Sequence, residues 1–170
     1  MRYIKITFLF ILVLVSKLAV SQTYTQYVDF ADEKIVEGDF YYAIEYYKKA
    51  MEIDSASVEI NWKMAEAQRH YKNYILAEYY YQKVYDKESA KIYPKSIYWL
   101  SSMQHYNGKY KESGSRWKVA KKTFKRKRKE YPYNKSMQEF KSCLWAAKAA
   151  LDTTDYEVKP IENDHINSQD

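Results

Sequence analysis

The chain has 170 residues, of which 46% are hydrophobic and 29% charged, and its formal net charge is +6. This length and apolar content are typical of one globular domain with a core, and they exclude an intrinsically disordered chain. Only 3 Gly and 3 Pro occur, so residues suited to tight β-turns are scarce and an all-α fold is predicted.

Residues 1–21 differ in composition from the rest of the chain. Arg2 and Lys5 precede an apolar run over residues 6–15, which is about half of the ~20 residues that a membrane-spanning helix needs. This arrangement indicates a secretory signal peptide, and we expect cleavage between Ser21 and Gln22. Cleavage would remove three cations and leave the mature protein with a nearly balanced charge. Because the segment is a signal peptide, the protein is expected to be exported.

One stretch of sequence recurs along the chain. Residues 38–50 align with residues 72–84 at an offset of 34, and a third copy, 108–120, follows at an offset of 36. The larger offset indicates two added residues near Pro94. A period of this length predicts an array of helical hairpins, each of which buries its apolar face against its neighbours.

The period and the turn residues set the expected helices. The first helices of the hairpins are expected at 24–37, 57–71 and 92–107, and the second helices at 40–53, 74–88 and 110–130. Turns are expected at Gly38, Lys72-Asn73 and Asn107-Gly108. A last helix, 135–151, is expected to cap the stack with its polar residues outside: Lys135, Gln138, Lys141 and Lys148.

Small and large residues alternate in a pattern that repeats with the hairpins. The small residues mark where two helices approach closely: Ala31, Ala65 and Ser101 in the first helices, and Ala43, Ala77 and Ser113 in the second. The large residues are expected to fill the space between them: Phe30, Phe40, Tyr47, Trp62, Met64, Tyr74, Tyr81, Leu100, Tyr110 and Trp117.

Across residues 24–130 this pattern resembles the tetratricopeptide repeat. The first copy carries Ala31, Phe40, Ala43, Tyr47 and Ala50 at the positions where that repeat prefers such residues. The resemblance implies an all-α fold of stacked hairpins forming a short right-handed solenoid, closed by the C-terminal capping helix. The repeats and the capping helix predict a domain over residues 22–152. Residues 153–170 are acidic and poor in apolar side chains, so they are expected to be a linker or tail.

The wider layout is similar to the N-terminal part of certain bacterial envelope proteins. In those proteins a signal peptide and Tyr-rich repeats precede a β-propeller and an OmpA-like peptidoglycan-binding domain, and some serve type IX secretion and gliding. The similarity covers the repeats, the helix at 140–150 and the short segments 158–161 and 166–168. It implies a periplasmic or outer-membrane location, with membrane or peptidoglycan association through an assembly.

In tetratricopeptide arrays the first helices line a groove, and the resemblance implies an exposed groove row here. Its residues would be Val28, Asp32, Ile35, Val36, Trp62, Glu66, Arg69, His70, Tyr98, Ser102, His105 and Tyr106. Such a row suits a peptide or a helix of another protein, although the rings could instead pack between neighbouring helices. The family's clamp for a chaperone tail needs Lys, Asn and Arg at set groove places, and Val28 and Asp32 occupy two of these places, so that activity is not implied.

A second candidate site is a run of cations near the end of the sixth predicted helix. Its members are Lys118, Lys121, Lys122, Lys125, Arg126, Lys127, Arg128 and Lys129. They could bind a polyanion or an anionic membrane surface, or they could be a solvated helix end whose cations suit the helix dipole. Because export is expected, a nucleic-acid partner is not.

No motif in the sequence indicates catalysis or a cofactor. Phosphate-binding loops, nucleophile elbows and metalloprotease helices are absent from the sequence. His70 and His105 stand at related places in successive repeats, but no ligand spacing accompanies them and no metal is expected. Cys143 is either a buried, apolar-like residue or one half of a disulfide between two molecules.

The sequence therefore predicts a non-enzymatic scaffold that binds other proteins of the cell envelope through its groove. The alternative is an adaptor that binds a polyanion or a membrane surface through Lys118–Lys129. A third class, a structural spacer without a ligand, is also compatible with the sequence.

Overall fold

The computed structural model describes residues 23–125 and 133–151, and these residues are helical almost throughout. The helices are α1 (23–37), α2 (Phe40–Ile53), α3 (Val58–His70), α4 (Tyr74–Glu88), α5 (Lys95–Tyr106), α6 (Tyr110–Phe124) and α7 (Tyr133–Ala149). The described residues contain no strand, and the predicted all-α repeat solenoid is confirmed.

The observed bounds of α1 to α4 agree with the predicted ones to within one residue, and α7 covers Tyr133–Ala149 instead of the predicted 135–151. Helices α2 and α4 have the predicted bounds, whereas α5 begins at Lys95 instead of at residue 92. Helix α6 ends at Phe124, and residues 126–130 of its predicted extension lie outside the described residues. The predicted signal peptide and acidic tail also lie outside them.

The two residues added near Pro94 lengthen the connection between α4 and α5. This connection covers residues 89–94, whereas the one between α2 and α3 covers only 54–57. The buried Glu88 organises the longer turn, because its Oε2 accepts a hydrogen bond from the backbone N–H of Ile92 at 2.6 Å and its Oε1 accepts one from Ser96 Oγ at 3.3 Å. The insertion is therefore held in place by one carboxylate.

Side-chain caps start the second helices of the first two hairpins. An oxygen of Asp39 accepts a hydrogen bond from the backbone N–H of Tyr42 at 3.3 Å, and Asn73 accepts one from that of Leu76 at 3.2 Å. Each bond satisfies a backbone donor that the first turn of a helix leaves unpaired. The caps stand 34 residues apart and start α2 and α4 at equivalent places.

The small residues are buried where two helices approach closely, as their spacing predicts. Each of the six has no exposed surface: Ala31, Ala43, Ala65, Ala77, Ser101 and Ser113. Around them lie fully or almost fully buried large side chains: Tyr47, Met64, Tyr81, Leu100 and Trp117. Four more of the predicted large residues are partly buried: Phe40, Trp62, Tyr74 and Tyr110. The expected burial of Phe30 is wrong, since half of its surface is exposed on the first hairpin.

The helices form two layers, which we call the first-helix layer (α1, α3, α5 and α7) and the second-helix layer (α2, α4 and α6). In the first-helix layer, Lys63 of α3 pairs with Asp32 of α1, and the Arg69 guanidinium of α3 lies 3.9 Å from the ring centre of Trp99 in α5. In the second-helix layer, Arg116 of α6 donates to Gln82 Oε1 of α4 at 3.0 Å. These polar contacts join neighbouring repeats within each layer, while α2 packs on α3 and α4 on α5 between the layers.

Helix α7 takes the place of a fourth first helix and caps the stack. The residues expected outside are exposed: Lys135, Gln138, Lys141 and Lys148. Ser136 and Cys143 form the buried stripe of α7, whereas Leu144 and Trp145 are exposed. None of the helices in the described ranges combines the length and apolar composition that a membrane crossing requires.

The turns inside the three hairpins share a left-handed residue. It is Gly38 (φ 80°), Lys72 (φ 65°) and Gly108 (φ 74°) in the three copies. A Cβ added at Gly38 or Gly108 would meet no atom within 4 Å, so the backbone angle alone favours Gly at these places. Lys72 adopts the same conformation at a steric cost of about 1–2 kcal/mol.

We therefore expect Lys72→Gly to stabilise the protein. Relief of the left-handed strain is partly offset by the greater freedom of Gly in the unfolded chain, which leaves a gain of up to about 1 kcal/mol in the free energy of unfolding. Urea denaturation followed by circular dichroism measures it. Lys72→Ala is the control, because it removes the same side chain and keeps the strain. Equal stability of the two variants would contradict this account.

Candidate functional site

The exposed side of the first-helix layer, which we call the groove face, carries most of the predicted site residues. Val36, His70 and Tyr106 are exposed there. Five further members of the predicted row are partly exposed, and they are Asp32, Ile35, Trp62, Glu66 and Arg69. His105 is also partly exposed. These residues lie on successive helices of one layer, as the prediction requires.

Three residues of the predicted row are buried, and their expected exposure is wrong. Val28 packs into the core between α1, α2 and α3. Tyr98 is only 4% exposed, since its ring meets that of Trp117 edge-on, with 4.9 Å between ring centres. Ser102 is 8% exposed and lies in the cleft between α5 and α7. The neighbouring helices cover these side chains.

A hydrogen bond between a tyrosine and a carboxylate recurs behind the groove face. The Tyr47 hydroxyl donates to Asp32 Oδ1 at 2.5 Å, and the Tyr81 hydroxyl donates to Glu66 in the next repeat. Burial, followed by the hydrogen bond to Asp32, raises the pKa of Tyr47 above its ordinary range. Both phenols therefore stay protonated, and each ties the second helix of its hairpin to the first.

Arg69 completes this network in the second repeat. Its Nη2 lies 2.6 Å from Glu66 Oε2, its Nε donates to the Tyr81 hydroxyl at 3.1 Å, and its guanidinium stacks over Trp99. Stacking of a guanidinium on an indole adds attraction to the two hydrogen bonds. The side chains of Asp32, Glu66 and Arg69 thus hold the face together and are not free for a ligand.

His70 lies at the edge of the same network. Its Nε2 is 2.8 Å from Arg69 Nη2, and its ring stacks on Phe40 with 5.0 Å between ring centres. Partial burial and then the charge of Arg69 lower the pKa of His70. The imidazole is therefore neutral near pH 7 and accepts the hydrogen bond that Arg69 offers.

An apolar pocket of about 200 Å³ opens beside Trp62. Trp62 stacks on Tyr93 with 4.9 Å between ring centres, and Ile92, Pro94 and Lys95 complete the lining. Ile92 is 68% exposed. The longer connection before α5 supplies Ile92, Tyr93 and Pro94, so the insertion in the third repeat builds this pocket.

A second cavity, of about 110 Å³, lies between α5 and α7. The predicted residues of the third repeat all line it: Tyr98, Ser102, His105 and Tyr106. The lining is completed by three residues that the sequence analysis did not assign to the groove: Trp99, Lys135 and Glu139.

Lys135 is exposed, as expected for the outside of the cap, but it also borders this cavity. The sequence contains a signal that α7 packs like a first helix, because Ser136 and Cys143 repeat the seven-residue spacing of the buried Ser96 and Met103 in α5.

Cys143 lies behind His105, which lines this cavity. It has no exposed surface, and its Sγ lies 3.2 Å from His105 Nδ1 and 3.2 Å from Ser113 Oγ. Burial raises the pKa of the Cys143 thiol, which therefore stays protonated at neutral pH. Of the two interpretations of Cys143, the structure supports the buried, apolar-like residue.

The second candidate site, the basic run, is only partly described. Lys118 and Lys121 each place their ammonium group 5.6 Å from the ring centre of Phe140, so they help to hold α7 against α6. Lys122 and Lys125 are exposed. Residues 126–129 lie outside the described ranges. Within 23–125 and 133–151, no group of three or more His, Cys, Asp or Glu side chains could hold a metal ion.

Comparison with known proteins identifies the fold. No protein-family model matches this sequence, and neither does any curated protein. Among solved structures, the first TPR of Spaghetti (RPAP3) bound to the HSP90 peptide SRMEEVD is similar, with TM-score 0.60 and 16% identity over 75% of this chain and 95% of that one.

Two structures of a bacterial chaperone are also similar. The type III secretion translocator chaperone SycD of Yersinia enterocolitica has TM-score 0.64 and 13% identity, over 75% of this chain and 88% of that chain. SycD in complex with a peptide of the translocator YopD has TM-score 0.57 and 14% identity, over 77% and 96%. At these identities the likeness shows the fold, which is that of tetratricopeptide-repeat domains.

The tyrosine–carboxylate bond predicts a measurable contribution to stability. Tyr81→Phe removes the donor to Glu66 and should lower the free energy of unfolding by about 1–3 kcal/mol. The control is Tyr79→Phe on the same helix, whose exposed hydroxyl should matter by less than about 0.5 kcal/mol. Chemical denaturation of both variants makes the comparison, and a Tyr81→Phe protein as stable as the control would refute the role given to this bond.

Proposed function

We propose that this protein is a non-enzymatic scaffold that holds a peptide or a helix of another protein on its groove face. The observation that carries the proposal is the pair of cavities in the first-helix layer. One is apolar and lies beside Trp62, and the other is polar and lies between α5 and α7. An apolar anchor beside a small number of polar groups is typical of peptide-binding grooves.

Similar folds with bound peptides support this proposal. The Spaghetti (RPAP3) repeat binds an HSP90 peptide and SycD binds a peptide of YopD, which shows that this fold can present a peptide-binding surface. The chaperone-tail clamp is not the mode that we propose here. Val28 is buried and Asp32 is engaged by Tyr47 and Lys63, so neither side chain is available to such a tail.

We propose no catalytic role, because the nucleophile nearest to the polar cavity is not in a reactive setting. Cys143 is the strongest nucleophile near it, but the thiol is fully buried, and burial raises its pKa. A reactive cysteine needs the opposite setting, partly exposed and electropositive. The described part of the groove face therefore supports recognition, with affinity gained by burying aromatic surface on preorganised helices.

The proposed setting is the bacterial cell envelope, in a secretion or peptidoglycan-linked outer-membrane assembly. Support comes from the charge and apolar pattern of residues 1–21 and from the similarity of the wider layout to envelope proteins. An adaptor role through the basic run is less supported, because Lys118 and Lys121 pack on Phe140.

Photo-cross-linking from defined positions tests the groove. A benzophenone amino acid placed at Ile92 or Tyr106, both mostly exposed on the groove face, should form covalent adducts with one partner in the native host. The same group at Tyr79, which is exposed on α4 in the other layer, is the matched control. We expect Ile92→Glu to abolish the Tyr106 adduct while helicity stays unchanged, because a charge would occupy the apolar pocket. Adducts from Tyr79 alone, or none from any position, would refute the proposal.

The envelope location makes a separate prediction. The mature protein isolated from its host should begin at Gln22 and should be released with periplasmic or outer-membrane fractions. Mass spectrometry of the N-terminal peptide decides this, and a chain that retains Met1 in the cytoplasm would contradict the location without affecting the groove.

A further inference from the structure

An aromatic contact recurs between neighbouring repeats, beside the turns of the hairpins. Phe40 begins α2 and stacks on His70, the last residue of α3, with 5.0 Å between ring centres. Tyr74 begins α4 and packs on Tyr106, the last residue of α5, with 4.9 Å between ring centres. The two contacts are equivalent, because Tyr74 follows Phe40 by 34 residues and Tyr106 follows His70 by 36. Each time, a ring at the end of the next first helix covers the ring that begins a second helix.

Helix α7 has no ring at the equivalent place. Met103 of α5 packs in one core cluster with Ala77, and Cys143 of α7 contacts Ser113, the equivalent of Ala77 in the next repeat, with 3.2 Å between Sγ and Oγ. Helix α7 therefore aligns with α5 at an offset of 40 residues. This offset puts Ala146 where α5 has the stacked ring. A methyl group thus takes the place of the ring at the last repeat.

An apolar pocket of about 200 Å³ lies beside this place. One wall is Tyr110, which begins α6 and corresponds to Phe40 and Tyr74. Leu151 lines the pocket and is 73% exposed. An apolar cavity of about 150 Å³ accepts a benzene ring, so one aromatic side chain fits here. The remaining lining residues are Gly108, Lys111, Glu112, Ala147 and Ala150.

The chain itself carries an aromatic ring close to this pocket in sequence. The described residues end at Leu151, in the wall of the pocket, and Tyr156 follows five residues later. Five residues span at most about 17 Å when extended, which is enough for the chain to turn back and reach the pocket. Tyr156 is also the only Phe, Trp or Tyr among residues 146–170 of the sequence. It is therefore the ring that this end of the solenoid has at hand.

We propose that Tyr156 inserts its ring into this pocket and packs on Tyr110, so that segment 152–161 docks on the end of the solenoid. The inserted ring completes the aromatic contact that α7 leaves without its second member. A tether of five residues gives the ring an effective concentration on the order of millimolar, which favours it over a ring from another molecule. Docking also covers the apolar surface of Leu151 and fixes the direction in which the chain leaves the repeats.

Photo-cross-linking from Tyr156 tests the docking in the full chain. A benzophenone amino acid at this position has nearly the shape of tyrosine and should form an adduct within one molecule. Peptide mapping by mass spectrometry should place the other end of the adduct in residues 108–112 or 147–151. The matched control is the same group at Ile166, ten residues further along the tail, which should not label these two segments.

A ring introduced from α7 should compete with the docked one. Ala147→Phe places an aromatic side chain in the pocket and should abolish the adduct from position 156. Ala149→Phe is the control, because Ala149 is an exposed alanine of the same helix that does not line the pocket. This variant should leave the adduct unchanged. Circular dichroism confirms that both variants are folded.

Thermal unfolding measures the contact without a cross-linker. Tyr156→Ala should lower the melting temperature by about 2–4 °C, because the apolar walls of the pocket are exposed again. Tyr156→Phe should leave it unchanged, since the ring and not the hydroxyl fills the pocket. Ile166→Ala is the control for a change in the tail that does not touch the pocket.

The outcomes distinguish docking from its alternatives. An adduct that joins two copies of the chain, one that maps elsewhere on the solenoid, or none at all would overturn the proposal. An unchanged melting temperature in Tyr156→Ala would overturn it as well, and residues 152–161 would then be a linker without a contact. None of these results bears on the groove face, whose two cavities share no lining residue with this pocket.

Discussion

The structure depends on the close approach of the two helices in each hairpin, which small side chains permit. Ala31 with Ala43 and Ala65 with Ala77 lie at the contacts between helices and have no exposed surface. A larger residue at any of these places would force the helices apart. The same approach brings the Tyr47 hydroxyl within reach of Asp32, so the hydrogen bond behind the groove face is a consequence of the small pair.

The third hairpin replaces these alanines with serines, and the change explains how α7 is attached. Ser113 Oγ donates to the carbonyl of Ser101 at 2.7 Å and lies 3.2 Å from Cys143 Sγ. Next to it, a Cβ on Gly114 would lie 3.6 Å from Cys143 Cβ, an ordinary contact distance, so α7 runs very close to α6. Buried hydroxyls are satisfied within the core, and the last helix gains a specific register. That register brings Lys135 and Glu139 to the cavity beside α5.

The sequence predicts the fold well because its signals are local and periodic. The offset of 34 places α2 and α4 at their observed bounds, and the added residues near Pro94 lie in the connection that is longer in the structure. Burial of each side chain is harder to predict, since it depends on which neighbouring helix covers it. Tyr98 has the spacing of a groove residue, but Trp117 and α7 cover it.

At the candidate site, the contacts of each side chain are also harder to predict from the sequence than the helix bounds. Helix α7 departs from the 34-residue period, so the period aligns neither Lys135 nor Glu139 with a groove position, and Lys135 is expected only on the outside of the cap. In the first two repeats the period predicts where side chains lie and not what they contact. Asp32, Glu66 and Arg69 lie on the groove face, but hydrogen bonds to Tyr47 and Tyr81 occupy them, which spacing alone does not reveal.

This internal pairing determines where a partner can gain free energy. Charges that already have partners offer little to a ligand, because breaking an existing pair offsets the gain from a new one. They do make the face rigid, so a bound segment would not have to order Arg69 or Trp99, and the entropic cost of association falls. The two cavities of the groove face lie where the repeat pattern is broken, one at the longer connection before α5 and the other between α5 and α7. In this chain the regular repeats form the scaffold, and the departures from regularity form its cavities.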